Sequence, residues 1–119
     1  MAELPKEVAT QDTPAVSPSG KYILAIVPGK LNGFDTQSFQ ILDPERALLY
    51  ASPDQFMSRD VTYFLWDSED RVWVYSGDRG TFFWENVGAV GEWSKSVYAQ
   101  SEVPAPAFLK RVRPRWHQR

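Results

Sequence analysis

Residues 62–84 read TYFLWDSEDRVWVYSGDRGTFFW. Three runs of aromatic and β-branched residues are divided by two short polar loops, the pattern of a three-stranded antiparallel meander. Its strands are predicted over 61–66, 71–75 and 81–84. Upstream, residues 21–27 (KYILAIV) form a strongly apolar β-run that stops at Pro28-Gly29, with Gly33 in the loop beyond. Over 37–42, Gln37, Phe39 and Ile41 alternate with Ser38, Gln40 and Leu42. Asp43-Pro44-Glu45-Arg46 then turns the chain into residues 47–51, completing a hairpin. Residues 53–60 read as a helical turn or loop capped by Ser52 or Asp54. A further strand over 92–100 carries Trp93, Val97 and Tyr98. A final edge strand is predicted over 107–112, between Pro106 and Pro114. No stretch of ten or more residues holds apolar positions at helical spacing.

These elements make an all-β single domain over 20–112, a mainly antiparallel meander or sandwich of about six to eight strands with no long helix. Pro5, Pro14 and Pro18 leave residues 1–19 as a flexible N-terminal arm. Residues 113–119 remain as a basic C-terminal tail.

The two faces of the meander set the next expectation. A loop of Gly77-Asp78-Arg79-Gly80 places Tyr75 opposite Phe82 and Trp73 opposite Trp84. Strand alternation then groups Trp73, Tyr75, Phe82 and Trp84 with Tyr63 and Leu65 on one face. Val72, Val74, Thr81 and Phe83 share the other with Phe64 and Trp66. Both faces are apolar, so both need a cover. The rest of the chain supplies one. With 119 residues and no long helix, material for the second is short, which argues for a protein partner or a homodimer.

Composition narrows the chemistry. Aromatic residues make up 14% of the chain, including five Trp. Such side chains serve equally as core filling and as interface anchors. There is no Cys, which removes disulfides, zinc-thiolate sites and thiol nucleophiles. The formal net charge of −2 is unevenly spread: residues 1–109 carry 8 basic and all 15 acidic side chains, whereas Lys110, Arg111, Arg113, Arg115 and Arg119 give the last ten residues +5. The tail can meet nucleic acid, an acidic protein or the chain's own body. Nucleic acid is disfavoured, because the acidic body repels phosphates. No run approaches the roughly 18 apolar residues of a spanning helix. The polar opening contains no signal-peptide core. The compartment is cytoplasmic if Met1 is the native start, and periplasmic if a signal has been removed.

Residues 17–27, SPSGKYILAIV, resemble the turn and first strand of a β-propeller blade of the SPDGK type, as in WD-like and TolB-like repeats. The block containing Phe64, Trp66, Asp70, Arg71, Val72, Val74, Tyr75, Ser76, Gly77, Asp78, Gly80, Thr81 and Trp84 resembles the later strands of such blades. The resemblance implies propeller-blade-like hairpins over residues 17–85. In its general character, a compact Trp-rich β-domain of this size also resembles the small bacterial immunity proteins that neutralise toxic effectors of rival cells.

No catalytic, cofactor or metal residues are assigned. The sole His, His117, reads as a solvated tail residue, which leaves Ser/His/Asp and Cys/His catalysis without support. Asp67, Glu69 and Asp70 share one loop, but it lacks the alternation and glycine of a calcium loop and reads as a solvated hairpin loop. Glu85 with Asp78 is the carboxylate pair to weigh for glycoside cleavage. Asp78 reads as ordering its own turn, and Trp73 and Trp84 read as core. The function expected is non-catalytic protein binding, in its sharp form that of an immunity protein occluding a toxin's cleft. The partner contacts expected are Trp66, Asp67, Glu69, Asp70, Asp78, Arg79 and Trp93. The alternatives are an accessory domain homodimerising through its aromatic face, and a small carbohydrate-binding or hydrolase module.

Overall fold

The protein is described from a computed structural model over residues 4–88 and 91–118. Met1, Ala2, Glu3 and Arg119, parts of the expected arm and tail, lie outside the described residues. Ten strands form among those described: β1 (Val8–Ala9), β2 (Ala15–Val16), β3 (Ile23–Leu31), β4 (Phe34–Leu42), β5 (Leu48–Ala51), β6 (Phe56–Met57), β7 (Thr62–Trp66), β8 (Val72–Ser76), β9 (Gly80–Asn86) and β10 (Trp93–Val97). They build two antiparallel sheets. Sheet A runs β1-β7-β8-β9-β10, and sheet B runs β2-β3-β4-β5 with β6 also on β4. The longest hairpin, β3–β4, closes on Asn32-Gly33, both at positive φ (51° and 83°), the two-residue turn whose twist matches the flanking strands.

Two cores result, one on each face of sheet A. Between the sheets, Leu24, Ile26, Phe39, Ile41 and Phe56 of sheet B meet Phe64, Trp66, Val72, Val74, Trp84 and Trp93 of sheet A. Edge-to-face ring pairs knit this layer, with Phe39 and Trp84 at 4.8 Å. On the outer face, Leu65, Trp73, Tyr75 and Phe83 lie beneath Tyr98, Ala105, Phe108 and Leu109. These covering residues belong to a C-terminal segment that crosses sheet A and returns. It leaves β10 beside Phe82, passes Pro104 to Ala107 at the Asp67 end, and comes back as the helix α1 (Ala107–Val112) and a 3-10 turn (Pro114–Trp116). Thr81 and His117 meet at the far end.

The second cover that the sequence left wanting is therefore supplied by the chain itself. The aromatic face expected to pair with a second copy is occupied by residues 98–112, so the need for a homodimer on that face falls away. Residues 107–112, expected as an edge strand, are helical because Phe108, Leu109 and Val112 then fall on one side, against sheet A.

The meander register is one residue from the expected one. Trp73 pairs with Phe83, Val72 with Trp84 and Ser76 with Gly80. Gly80, at φ 101°, enters the ladder instead of the loop, and a one-residue slip exchanges the faces. Trp73, Tyr75 and Phe83 thus face outward, while Phe82 and Trp84 join the inter-sheet core. The β7–β8 register, with Trp66 opposite Val72, is as expected. Two segments expected to be irregular also pair. In the stretch read as an arm, Val8 lies opposite Leu65 and Ala15 opposite Leu24. Phe56, from the expected helical turn, lies opposite Gln37.

Candidate functional site

The expected contact residues fall at the two ends of sheet A, not in one place. Asp67, Glu69 and Asp70 occupy the β7–β8 loop. Asp78 and Arg79 occupy the β8–β9 turn at the other end, a strand length of about 17 Å away.

At the first end, Asp67 is the organiser. Its Oδ1 accepts the backbone N–H groups of Glu69 and Arg71, both at 2.9 Å. Its Oδ2 accepts Trp73 Nε1 at 2.8 Å and Arg71 Nη1 at 3.0 Å. Arg71 reaches on to Glu85 at 3.4 Å. Although burial opposes the Arg71 charge, the hydrogen bonds and charges of Asp67 and Glu85 keep its pKa raised. Asp70 sits at φ 59°, a conformation Asp tolerates, and accepts Ser19 N at 3.2 Å, tying the loop to sheet B. Glu69 is exposed. Trp66 is 1% exposed and donates Nε1 to the Ala15 carbonyl at 2.8 Å. Trp93 is 8% exposed and packs on Trp66 and Tyr22. Both Trp residues, expected as surface anchors, are core residues instead, because each presents a large ring to the inter-sheet space.

An open groove of about 1060 Å³ runs beside this loop. One wall is the Ser17–Gly20 turn with Val16, and the opposite wall is Pro104, Ala105 and Pro106. Lys6, Glu7, Asp67, Glu69 and Arg71 carry its charges.

At the second end, the turn is ordered by Ser76, whose buried Oγ accepts the backbone N–H groups of Asp78 and Arg79 at 3.2 and 3.1 Å. That is the role expected of Asp78. Arg79 folds back onto sheet B, donating to the Gln55 carbonyl at 3.1 Å and pairing with Asp54 at 3.4 Å, with its guanidinium over Phe56. A smaller pocket of about 440 Å³ opens here between the turn, Val97, Tyr98 and Trp116. Asp78 and Glu85, the weighed carboxylate pair, lie at opposite ends of β9, far beyond the roughly 5–10 Å that glycoside cleavage requires. Among the described residues no group of three acidic or imidazole side chains is placed to hold a metal ion.

His117 is not a solvated tail residue. It is fully buried, with Nδ1 2.8 Å from the Arg113 carbonyl and Nε2 2.9 Å from Thr81 Oγ1. A carbonyl only accepts, so Nδ1 carries the proton and Nε2 accepts from Thr81. Burial pushes the pKa below 6.5, partly offset by backbone hydrogen bonds to Arg113 and Leu109. Between the unfolded and folded values, the unfolded chain binds a proton that the native chain refuses. Stability from this group is therefore complete above the unfolded value and falls as pH drops through it. His117→Phe is expected to reduce the loss of unfolding free energy between about pH 7.5 and about pH 5.5, read by urea titration. Identical losses in both proteins would remove His117 as the cause.

The geometry defines an all-β antiparallel domain: two five-stranded sheets, counted over the described residues, and a third layer made by the C-terminal segment. Compared with protein-family models, curated proteins and solved structures, the chain matched none. Among the described residues no helix is long and apolar enough to cross a membrane.

Proposed function

We propose that this protein is a non-catalytic domain that binds another protein, and that in its sharper form it is a bacterial immunity protein that binds and inhibits a cognate toxin or effector. The observation that carries the reading is the groove beside the β7–β8 loop. Its most deeply set charges, Asp67 and Arg71, are spent on each other and on the loop backbone. What it offers a visitor is a shaped surface, with apolar walls of Val16, Pro104 and Pro106 and, on its rim, the carboxylates of Glu69 and Glu7 beside the exposed Lys6. Rim carboxylates of this kind speed encounter with a basic surface and set its orientation.

The test is capture from the source organism's lysate, identification of any stoichiometric partner, and assay of that partner's activity with and without this protein. The expected result is a complex in which the partner's activity is lost. Glu7→Lys with Glu69→Lys is expected to weaken the complex about tenfold in low salt, through slower association. A partner whose activity is unchanged in the complex, or an affinity indifferent to the two reversals, overturns the reading.

A further inference from the structure

The C-terminal cover has two faces, and only the inner one is accounted for. Phe108, Leu109 and the His117 ring face sheet A. Lys110, Arg111, Arg115 and Trp116 stand exposed on the other side, with Arg113 half-exposed. In the body, Lys30, Arg71, Arg79 and Lys95 each sit in an ion pair, half of its eight cations. Among the described residues, none of the four cations of the cover does. Three of the four rest on rings: Arg111 over Phe108 at 5.4 Å, Arg113 over Tyr75 at 5.6 Å and Arg115 over Trp116 at 5.1 Å. A guanidinium resting on a ring still has edge N–H donors to offer a carboxylate; Arg113 gives one of its own to the Val112 carbonyl at 2.8 Å, and Arg111 and Arg115 make no such bond among the described residues. The pocket of about 440 Å³ adjoins this row through Trp116, which is 58% exposed, and apolar surface from Phe82, Val97 and Tyr98 helps to form it.

We infer that this surface docks a short acidic segment of a partner protein carrying one bulky apolar side chain. The cation row takes the carboxylates, and the pocket beside Trp116 takes the apolar group. Charge complementarity sets the sign of the occupant, and extent sets its kind. One six-residue helix and one 3-10 turn span about 15 Å, the length of four or five extended residues. A nucleic-acid strand or an anionic bilayer continues past that span and meets the body, whose residues 1–109 carry a net charge of −7. A short segment stops within it. The surface is separate from the groove at the Asp67 end, so this inference does not rest on the reading given there.

The probe is a fluorescein-labelled peptide of about ten residues, Glu and Asp around one central Phe, titrated with the full chain in low salt and read by anisotropy. Saturable binding is expected. Combined Lys110→Glu, Arg111→Glu and Arg115→Glu should weaken it by more than about tenfold. Trp116→Ala, or Ser in place of the central Phe of the peptide, should weaken it several-fold. All four replaced residues are exposed, so thermal midpoints should stay near that of the wild type. Arg46→Glu, in the turn before β5, should leave the peptide affinity unchanged. An absence of saturable binding, or equal affinity in the triple variant, overturns the inference. Tighter binding to an oligothymidylate of equal charge, or to phosphatidylcholine vesicles containing phosphatidylserine, overturns it in favour of a nucleic acid or a membrane.

Discussion

Asp67→Ala is expected to lower the unfolding free energy by about 3–4 kcal/mol and the thermal midpoint by about 10 °C or more. One carboxylate receives four hydrogen bonds: two from the backbone of its own loop, one from Arg71 and one from the indole of Trp73. Trp73 is fully buried, so its N–H would lose the one acceptor it has among the described residues without gaining water. Arg71 would keep Glu85 alone. Truncation also releases the loop that Asp70 ties to Ser19. Asp67→Asn should fall between the two, because an amide offers one acceptor oxygen where the carboxylate offers two. Urea denaturation of the three proteins checks this. A loss below about 1 kcal/mol for the alanine variant would reduce Asp67 to an ordinary loop residue.

Leu109→Asp is expected to detach the cover. Leu109 is fully buried against the outer face of sheet A, among apolar and aromatic side chains. Burying an unpaired carboxylate there costs more than a six-residue helix can offset, so α1 should lift off in preference to holding the charge. The expected signature is local. Amide exchange protection should vanish over residues 98–117, and a hydrophobic dye should bind the uncovered Trp73, Tyr75 and Phe83. The inter-sheet core, which shares none of these side chains, should unfold at a lowered midpoint but still cooperatively. A variant with unaltered protection over 98–117 would show that the outer layer is not held by Leu109.

Much of this architecture is legible in the residues. The alternation in β4 and the aromatic runs of β7, β8 and β9 announce strands, because a pleated surface gathers β-branched and aromatic side chains. What escapes is set by short length. β1, β2 and β6 have two residues each and carry no period. α1 has six, too few to separate a helical stripe from an edge strand, although Pro106 before it and Lys110 and Arg111 in its last turn are the marks of a short helix. The register error turns on Gly80 alone: whether a glycine belongs to the loop or to the ladder is a matter of its φ, which composition does not reveal. The candidate site was half visible. The loop carboxylates and the basic tail stand out as charge. That Trp66 and Trp93 point inward, and that Pro104 and Pro106 wall a groove with residues some 85 positions earlier, depends on long-range packing that no local pattern records.

The place of the cover in the chain order bears on how the molecule is made. All ten strands precede it, and β1 waits for β7, more than fifty residues later, before sheet A gains that edge. During synthesis, at roughly 5–20 residues per second, the nascent sheet therefore presents Trp73, Tyr75 and Phe83 to the cytosol or to a chaperone until residues 98–117 have left the ribosome. The charged outer side of that last segment then replaces a sticky face with a soluble one in a single late step.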